Sequence, residues 1–526
     1  MTLPVNTVIQ GDCIEVMQSL PEGIVHCVVS SPPYFGLRDY RIPGRVWGGA
    51  PECKHTWVDR EPRRNRWAGD VVNPDSKQKT NEGTLYDASG GQTCSKCGAW
   101  FGSHGLEPTI DLYVQHEVEV MRAVRRVLRD DGVVFWNLGD SYNSAASNTD
   151  QIGGRKKSLA NMGRNKLTSE LKPLDKCGVP ERVALALQAD GWYWRDTIIW
   201  AKGESFNPDR SGSVMPESQK GKRWERHRIK VKKSKHASDH NIKGGYKKML
   251  EDASCHKGIS PDWVAKWQDC PGCPKCEKTG GFILRHGNWR PTKSYEVVLM
   301  LTKTNKAWTD GEAVKENVSQ LESTANRKLY KINSAPKYST TDNAKPEFYK
   351  ETRINPSYRN LRNVWSINPE PFKGAHFATF PSKLVATCVK IATCERGACP
   401  TCGKQWARVI GDKTVINIRG NSTKSGKKGF PHETGWDDEI SAQVSYQTLG
   451  YMPTCSCYPT PDDWANWKEH YDAQETVPAV VFDPFMGSGT VALTARRLGR
   501  SYIGTEISEE YIEICNQRLE QEVMEI

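Results

Sequence analysis

The sequence predicts an α/β protein, an open, doubly wound sheet interrupted by long polar insertions. Three observations carry this reading. Short apolar runs alternate with helical patterns, as in strand–helix–strand units. Two of the runs end in distinctive chemistry: Ile24–Val29 leads to Ser31-Pro32-Pro33-Tyr34, and Val477–Phe482 leads to Asp483-Pro484-Phe485-Met486-Gly487-Ser488-Gly489-Thr490. Between them, stretches such as 38–106 and 309–362 are polar and poorly periodic, and loops of that length need organisers of their own.

Taken in order, Thr7–Gln10 reads as a strand ending at Gly11-Asp12, and Cys13–Leu20 as a helix with Ile14 and Met17 inward. Asp12 suits a helix N-cap and also stands at a strand end, where open α/β sheets bind ligands. Both roles stay open. The Ile24–Val29 strand must stop at Ser31, because neither following proline has an N–H for a sheet ladder. Its end offers carbonyls, a hydroxyl and a ring, which suits a flat ligand carrying an amino group. A proline-stiffened turn is the alternative. Asp111–Leu128 has one apolar helical face and is stopped by Asp131-Gly132. Val133–Trp136 is the next strand, leading to Asn137-Leu138-Gly139-Asp140, whose polar residues sit at another strand end. Pro180–Ala189 is a helix with proline in its first turn, and Tyr193–Trp200 and Tyr295–Leu301 are strands.

Near the C-terminus, strand, glycine turn and helix (Val491–Leu498) form the layout that binds an adenosine-type cofactor. The Ser501–Thr505 strand ends at Glu506, nineteen residues after Gly487, close to the ~20-residue offset of a ribose-binding acid. No lysine follows Gly489, so this is not a phosphate-binding P-loop. Glu509–Leu519 is a final amphipathic helix.

There are 17 cysteines. Residues 1–12 lack a basic-then-apolar signal pattern, so the chain is expected in the cytosol, where cysteine clusters mean metal rather than disulfides. Cys53-Lys-His55 with Cys94-Ser-Lys-Cys97 predicts a zinc knuckle. Cys270, Cys273 and Cys276 predict a second zinc, with Cys255 as the best fourth ligand and His256 its rival. Cys399, Cys402, Cys455 and Cys457 predict a zinc ribbon with a lengthened arm, for which Cys394 is a substitute ligand. Full four-ligand sets make such metals structural, since catalytic zinc keeps a position open.

A net charge of +11 suggests a polyanionic partner. Basic residues recur from Lys220 to Lys235, with Trp224 and His227 interleaved. Lys222, Arg223, Arg226, Arg228, Lys230, Lys232 and Lys233 suit DNA phosphates, with the rings available for stacking. A solvated charge run is the plainer alternative. No apolar run approaches the ~18 residues of a membrane span.

As an ordered set, the motifs resemble those of the amino-methylating DNA methyltransferases that use S-adenosylmethionine. Ser31-Pro32-Pro33-Tyr34 resembles the family's catalytic (Asp/Asn/Ser)-Pro-Pro-(Tyr/Phe) motif, and Phe485-Met-Gly487-Ser-Gly489 its cofactor motif. The catalytic motif comes first, as in the β group, and the chain looks closest to large cysteine-rich members found in phages and prophages. His376-Phe377-Ala-Thr379-Phe-Pro381, before a helix over Ser382–Thr393, looks like a further cofactor motif. The resemblance implies a Rossmann-like methyltransferase sheet in permuted order. It places Asp12, His376, Phe377, Thr379, Pro381, Asp483, Phe485, Gly487, Gly489, Thr490 and Glu506 around the cofactor.

The expected layout is a catalytic half at 1–203, a target-recognition region at 204–370 that lends the sheet a strand near 295–303, and a cofactor half at 371–526. The expected activity is methyl transfer to the exocyclic amine of a base flipped from double-stranded DNA, at cytosine N4 or else adenine N6. Relatives acting on RNA or protein usually carry these motifs in the opposite order. A zinc-containing DNA-binding protein with a decayed core would not be expected to keep both motifs whole.

Overall fold

The computed structural model describes residues 4–36, 42–59, 91–143, 171–172, 175–202, 221–232, 265–286, 289–317, 328–330, 352–356, 358–370, 381–411, 414–418, 441–445 and 447–524. Its centre is an eight-stranded sheet. The strands in chain order are β1 (Thr7–Gln10), β2 (Val25–Ser30), β3 (Leu128–Leu138), β4 (Tyr193–Ala201), β5 (Tyr295–Thr302), β6 (Val364–Ser366), β7 (Val480–Asp483) and β8 (Ser501–Glu506). Their spatial order is β1-β8-β7-β2-β3-β5-β4-β6. All are parallel except β5, which runs antiparallel to both neighbours. The two ends of the chain therefore meet in the sheet: Thr7 of β1 pairs with Ile503 of β8. This is the doubly wound sheet in permuted order that the motif order implied.

Helices cover both faces. On one lie α1 (Cys13–Ser19), α2 (Ile110–Val127) and α3 (Val179–Ala189); on the other lie α4 (Ser382–Ala392), α5 (Thr490–Arg497) and α6 (Glu509–Met524). Helix α2 shows how the sequence specifies this packing. Thr109 Oγ1 accepts from the Leu112 N–H at 3.2 Å as its N-cap, and Tyr113, Val120, Met121, Val124 and Val127 form a fully buried stripe. Each large apolar side chain so buried contributes about 1.5–3 kcal/mol.

The element boundaries differ from expectation in a few places. Val127 passes directly into β3, so Asp131-Gly132 lies within a strand rather than stopping the helix. Gly132 is needed there, because a Cβ would press on Leu128 and the His26 carbonyl. The β2 strand ends at Ser30. The short edge strand β6 gave no periodic signal. Among the described residues no helix is long and apolar enough to cross a membrane.

Candidate active site and cysteine clusters

Because seven strands are parallel, their carboxyl ends form one edge, and antiparallel β5 contributes its amino end there. Ser31–Tyr34 leaves β2 at this edge beside β7. Ser30 Oγ donates to Asp483 Oδ1 at 2.6 Å, so the catalytic-motif strand and the cofactor-motif strand are joined one residue before Ser31. Asp483 is buried, and burial raises its carboxyl to about 7, partly offset by the hydrogen bonds from Ser30 and the Phe485 N–H.

In the glycine turn Gly487 and Gly489 both have positive φ, +51° and +81°. A side chain at 489 would collide with the Cys515 sulfur. Glu506 Oε2 accepts from the Gly487 N–H at 2.8 Å and Oε1 from the Ser508 N–H at 2.9 Å. Burial raises its carboxyl. A carboxylate has about four lone-pair sites, so acceptor capacity is left for a ribose. A Cβ added at Gly487 would meet nothing nearer than the Phe485 carbonyl at 3.9 Å. That leaves a cradle over the turn, and the site fits an adenosine-type cofactor. Asp12 caps α1, accepting from the Ile14 N–H at 3.0 Å, and is also ion-paired with Arg45. Pro381 is the N-cap residue of α4. His376, Phe377 and Thr379 lie outside the described residues.

The catalytic motif sits in a polar network that the sequence reading largely missed. Tyr34 Oη donates to Glu296 Oε2 at 3.0 Å, and accepts from Ser31 Oγ at 3.2 Å and Asn137 Nδ2 at 2.6 Å. Asn137 Nδ2 also reaches Glu296 Oε2 at 3.1 Å, and Lys202 Nζ pairs with Glu296 Oε1 at 2.6 Å. Asn137 Oδ1 is buried and has no hydrogen-bond partner among the described residues, so an acceptor is available beside Ser31. Gly139 makes room for the Tyr34 ring, which a Cβ there would strike. The signal for Glu296 was an acid in an otherwise apolar strand, Tyr-Glu-Val-Val-Leu-Met-Leu. It becomes meaningful only once β5 is known to be antiparallel.

Behind the motif, His104 Nδ1 meets Glu107 Oε1 at 2.8 Å and His104 Nε2 meets Glu117 Oε1 at 2.8 Å. His116 Nδ1 meets Glu107 Oε1 at 2.9 Å, and Trp136 Nε1 donates to Glu117 Oε2 at 2.7 Å. Burial pushes His104 down, but Glu107 and Glu117 outweigh it and raise the imidazole to about 10. Tyr113, stacked on His104, donates from its hydroxyl to the Pro33 carbonyl at 3.0 Å.

Three cysteine clusters bring ligand atoms within 4.8 Å of one another: Cys53/His55/Cys94/Cys97, His227/Cys270/Cys273/Cys276 and Cys399/Cys402/Cys455/Cys457. The first lies in an insertion whose four-stranded sheet runs Arg45–Trp47, Trp100–Gly102, Gln92–Cys94, Trp57–Asp59. The backbone N–H groups of Cys97, Lys96 and Thr56, together with His55, overcome burial and hold the Cys94 thiol down at about 5. In the second cluster His227 is the fourth member, its Nδ1 3.4 Å from Cys273 Sγ. Cys255 and His256 lie outside the described residues. The third closes on the core through a pair of hydrogen bonds between Ala398 and Val477 at 2.8 and 2.9 Å. Cys394 is not part of it and packs with Trp406 and Tyr471 in a small core.

The basic run forms two strands flanking His227. Arg223–Arg226 pairs with Phe282–Arg285, and Arg228–Lys232 with Ala265–Asp269. Arg223 is ion-paired with Glu225, and Arg226 and Arg228 face Asp269 at 3.9 and 3.3 Å. Lys222 and Trp224 are exposed. The backbones of Lys230 and Lys232 lie in the second strand, and Lys233 lies outside the described residues.

A family model described as DNA methylase, covering N6 and N4 enzymes, matches residues 25–399 and 411–517. The type II methyltransferase M.Cfr9I of Citrobacter freundii is 22% identical over 516 residues, 98% of this chain and 88% of that protein. M.SmaI of Serratia marcescens is 23% identical over 512 residues, 97% and 90% of the two chains. The solved structure titled PvuII DNA methyltransferase (cytosine-N4-specific) aligns over 98% of this chain and 87% of its own, at 13% identity with a TM-score of 0.36. With the family model spanning most of its length, the chain belongs to the amino-methylating DNA methylases.

Proposed function

We propose that the protein is a site-specific methyltransferase that moves the methyl of S-adenosylmethionine to the exocyclic amine of a base flipped from double-stranded DNA. Cytosine N4 is favoured over adenine N6. The observation that carries this reading is the Ser30–Asp483 hydrogen bond, which sets the acceptor end of the catalytic motif against the cofactor turn. Names of relatives such as M.SmaI, a type II methyltransferase, support sequence specificity.

A base in a duplex must be flipped to reach such an edge. In this reading Ser31 Oγ and the Pro32 carbonyl accept the amine's hydrogens, Pro33 keeps the segment stiff, and Tyr34 stacks on the base. Asp483, Phe485, Gly487, Gly489, Thr490 and Glu506 hold the cofactor, with Asp12 and the His376, Phe377, Thr379 and Pro381 segment around it. When bound, the cofactor supplies an electrophilic methyl; the protein supplies positioning and electrostatics. Ser31 stands where adenine-methylating relatives usually carry a carboxylate, and the serine form of the motif mostly accompanies methylation of the cytosine amino nitrogen.

The three cysteine clusters are proposed as structural zinc sites. A tetrahedral zinc with Zn–S of about 2.3 Å and Zn–N of about 2.0 Å separates two sulfurs by about 3.8 Å and sulfur from nitrogen by about 3.5 Å. Cys53 and Cys94 sulfurs lie 3.9 Å apart, Cys273 and Cys276 sulfurs 3.7 Å apart, and Cys97 Sγ is 3.4 Å from His55 Nδ1. In this reading the basic run Lys222, Arg223, Arg226, Arg228, Lys230, Lys232 and Lys233 contacts DNA phosphates within a recognition region at 204–370. The ion pairs of Arg223, Arg226 and Arg228 lie at the surface, where such pairs are worth little and exchange readily for phosphates. The enzyme would act on DNA in the cytosol.

The test is mass spectrometry of nucleosides from DNA methylated by the purified protein. N4-methylcytosine is expected. N6-methyladenine alone would refute the base assignment, and no methylated base would refute the activity.

A further inference from the structure

We infer that Ser31, Tyr34 and Glu296 form a path that carries away the proton released when the target amine is methylated, making Glu296 the proton acceptor of the reaction. This rests on the methyltransferase reading above and adds a residue to it. A neutral amine that gains a methyl must lose a proton, and Ser31 alone cannot keep one. The hydrogen bonds at the site run in one direction. Ser31 Oγ donates to Tyr34 Oη at 3.2 Å, and Tyr34 Oη donates to Glu296 Oε2 at 3.0 Å. Asn137 fixes that direction. Its Nδ2 donates to Tyr34 Oη at 2.6 Å and reaches the same Glu296 oxygen at 3.1 Å. A phenol has one hydrogen to give, and with Ser31 and Asn137 both donating to its oxygen that hydrogen is left for Glu296.

The step balances. The amine nitrogen bonds to the methyl carbon as the electrons of the carbon–sulfur bond pass to sulfur, which becomes a neutral thioether. The amine's proton moves to Ser31 Oγ, the Ser31 hydrogen to Tyr34 Oη, and the Tyr34 hydrogen to Glu296 Oε2. One positive charge disappears at sulfur and one negative charge at Glu296. Lys202, on the other carboxylate oxygen at 2.6 Å, supplies the counter-charge before transfer. Lys293 also acts on Glu296 electrostatically, and burial holds its ammonium below the usual lysine range. The Glu296 side chain is 13% exposed, so its proton can pass on to solvent between turnovers.

The experiment measures single-turnover methylation with saturating S-adenosylmethionine and a duplex substrate. Tyr34→Phe keeps the stacking ring and cuts the path. Glu296→Gln keeps an oxygen that accepts from Tyr34 but is a far weaker base. Each is expected to slow transfer by about tenfold or more while cofactor and duplex affinities stay within about twofold. The double variant is expected to be no slower than the slower single, because a path cut once is already cut. A rate within about twofold of the unmodified enzyme for either single variant, or losses that multiply in the double, would overturn the path. Should Glu296→Gln fail to fold, Tyr34→Phe decides the question alone. An unmodified enzyme that yields no methylated base would instead sink the methyltransferase reading.

Discussion

In the first insertion Cys97 Sγ stands 3.4 Å from His55 Nδ1, and Cys53 Sγ 3.9 Å from Cys94 Sγ. A few residues further on, His104, Glu107 and His116 also bring potential metal ligands together, but at 2.8 and 2.9 Å. The two clusters use similar residue types and differ by about half an ångström or more in spacing. Zinc with two nitrogen or oxygen ligands would set them about 3.3 Å apart, whereas 2.8–2.9 Å is hydrogen-bond distance. His104 also has both ring nitrogens committed to separate carboxylates, so as an imidazolium it keeps no lone pair for a metal. The spacing of the cysteine cluster matches what a tetrahedral ion would need; the histidine–glutamate cluster supplies its own charges.

Emptying the cysteine cluster should have the largest effect. Structural zinc contributes an apparent ~10–16 kcal/mol per site in small domains. Cys94→Ser is expected to lower bound zinc from about three equivalents to about two, since three clusters of this kind are present. It should also unfold the four-stranded insertion, seen as rapid proteolysis within residues 42–102. Full zinc retention would break the comparison from the cysteine side.

His104→Gln should behave in the opposite way. It leaves Glu107 and Glu117 buried without their imidazolium, and breaking a buried ion pair costs ~3–5 kcal/mol. Denaturant unfolding should show that loss while zinc content stays unchanged. Loss of an ion on this substitution would show that the cluster is a metal site after all.

The legible parts of the molecule were those written in local sequence. The Pro32-Pro33 stop, the turn at Gly487 and Gly489, and the Glu506 offset each follow from neighbours along the chain, and so do most strands and helices. Glu296, Lys202 and His104 were not legible, because their meaning lies in partners far away. Tyr34 and Glu296 are 262 residues apart in sequence, and only the antiparallel course of β5 brings them together. His227 was read as a ring among basic residues. Its place beside Cys273, 46 residues on, depends on two strand pairings that a charged, weakly periodic run does not announce. The β3 strand began earlier than expected because its charged start, Arg129-Asp130-Asp131, masks a buried continuation.

The smallest expected effect sharpens the comparison through a histidine of the opposite kind. His26 Nδ1 accepts from the Val480 N–H at 3.0 Å and its Nε2 donates to the Gly403 carbonyl at 2.8 Å. It therefore joins the Cys399 ribbon to β7 as a neutral ring. Burial lowers it to about 4, with Gly403 and Asp131 opposing that shift and Arg129 adding to it. In the unfolded chain a histidine titrates near 6.5, so below that pH the unfolded state takes up the proton first. The His26 contribution is thus complete above about pH 6.5 and is lost as pH falls toward 4, on the order of 3 kcal/mol over that window. His104, raised to about 10, has the reverse sign: its contribution is complete below about 6.5 and is lost as pH rises through 10. Urea unfolding from pH 7 to pH 5 should therefore show the stability gap between the unmodified protein and His26→Gln shrinking steadily. The gap to His104→Gln should not shrink over the same range but widen slightly, as the unfolded chain's imidazole becomes protonated. A His26 gap that does not change with pH would mean that its ring is not the neutral bridge these hydrogen bonds describe.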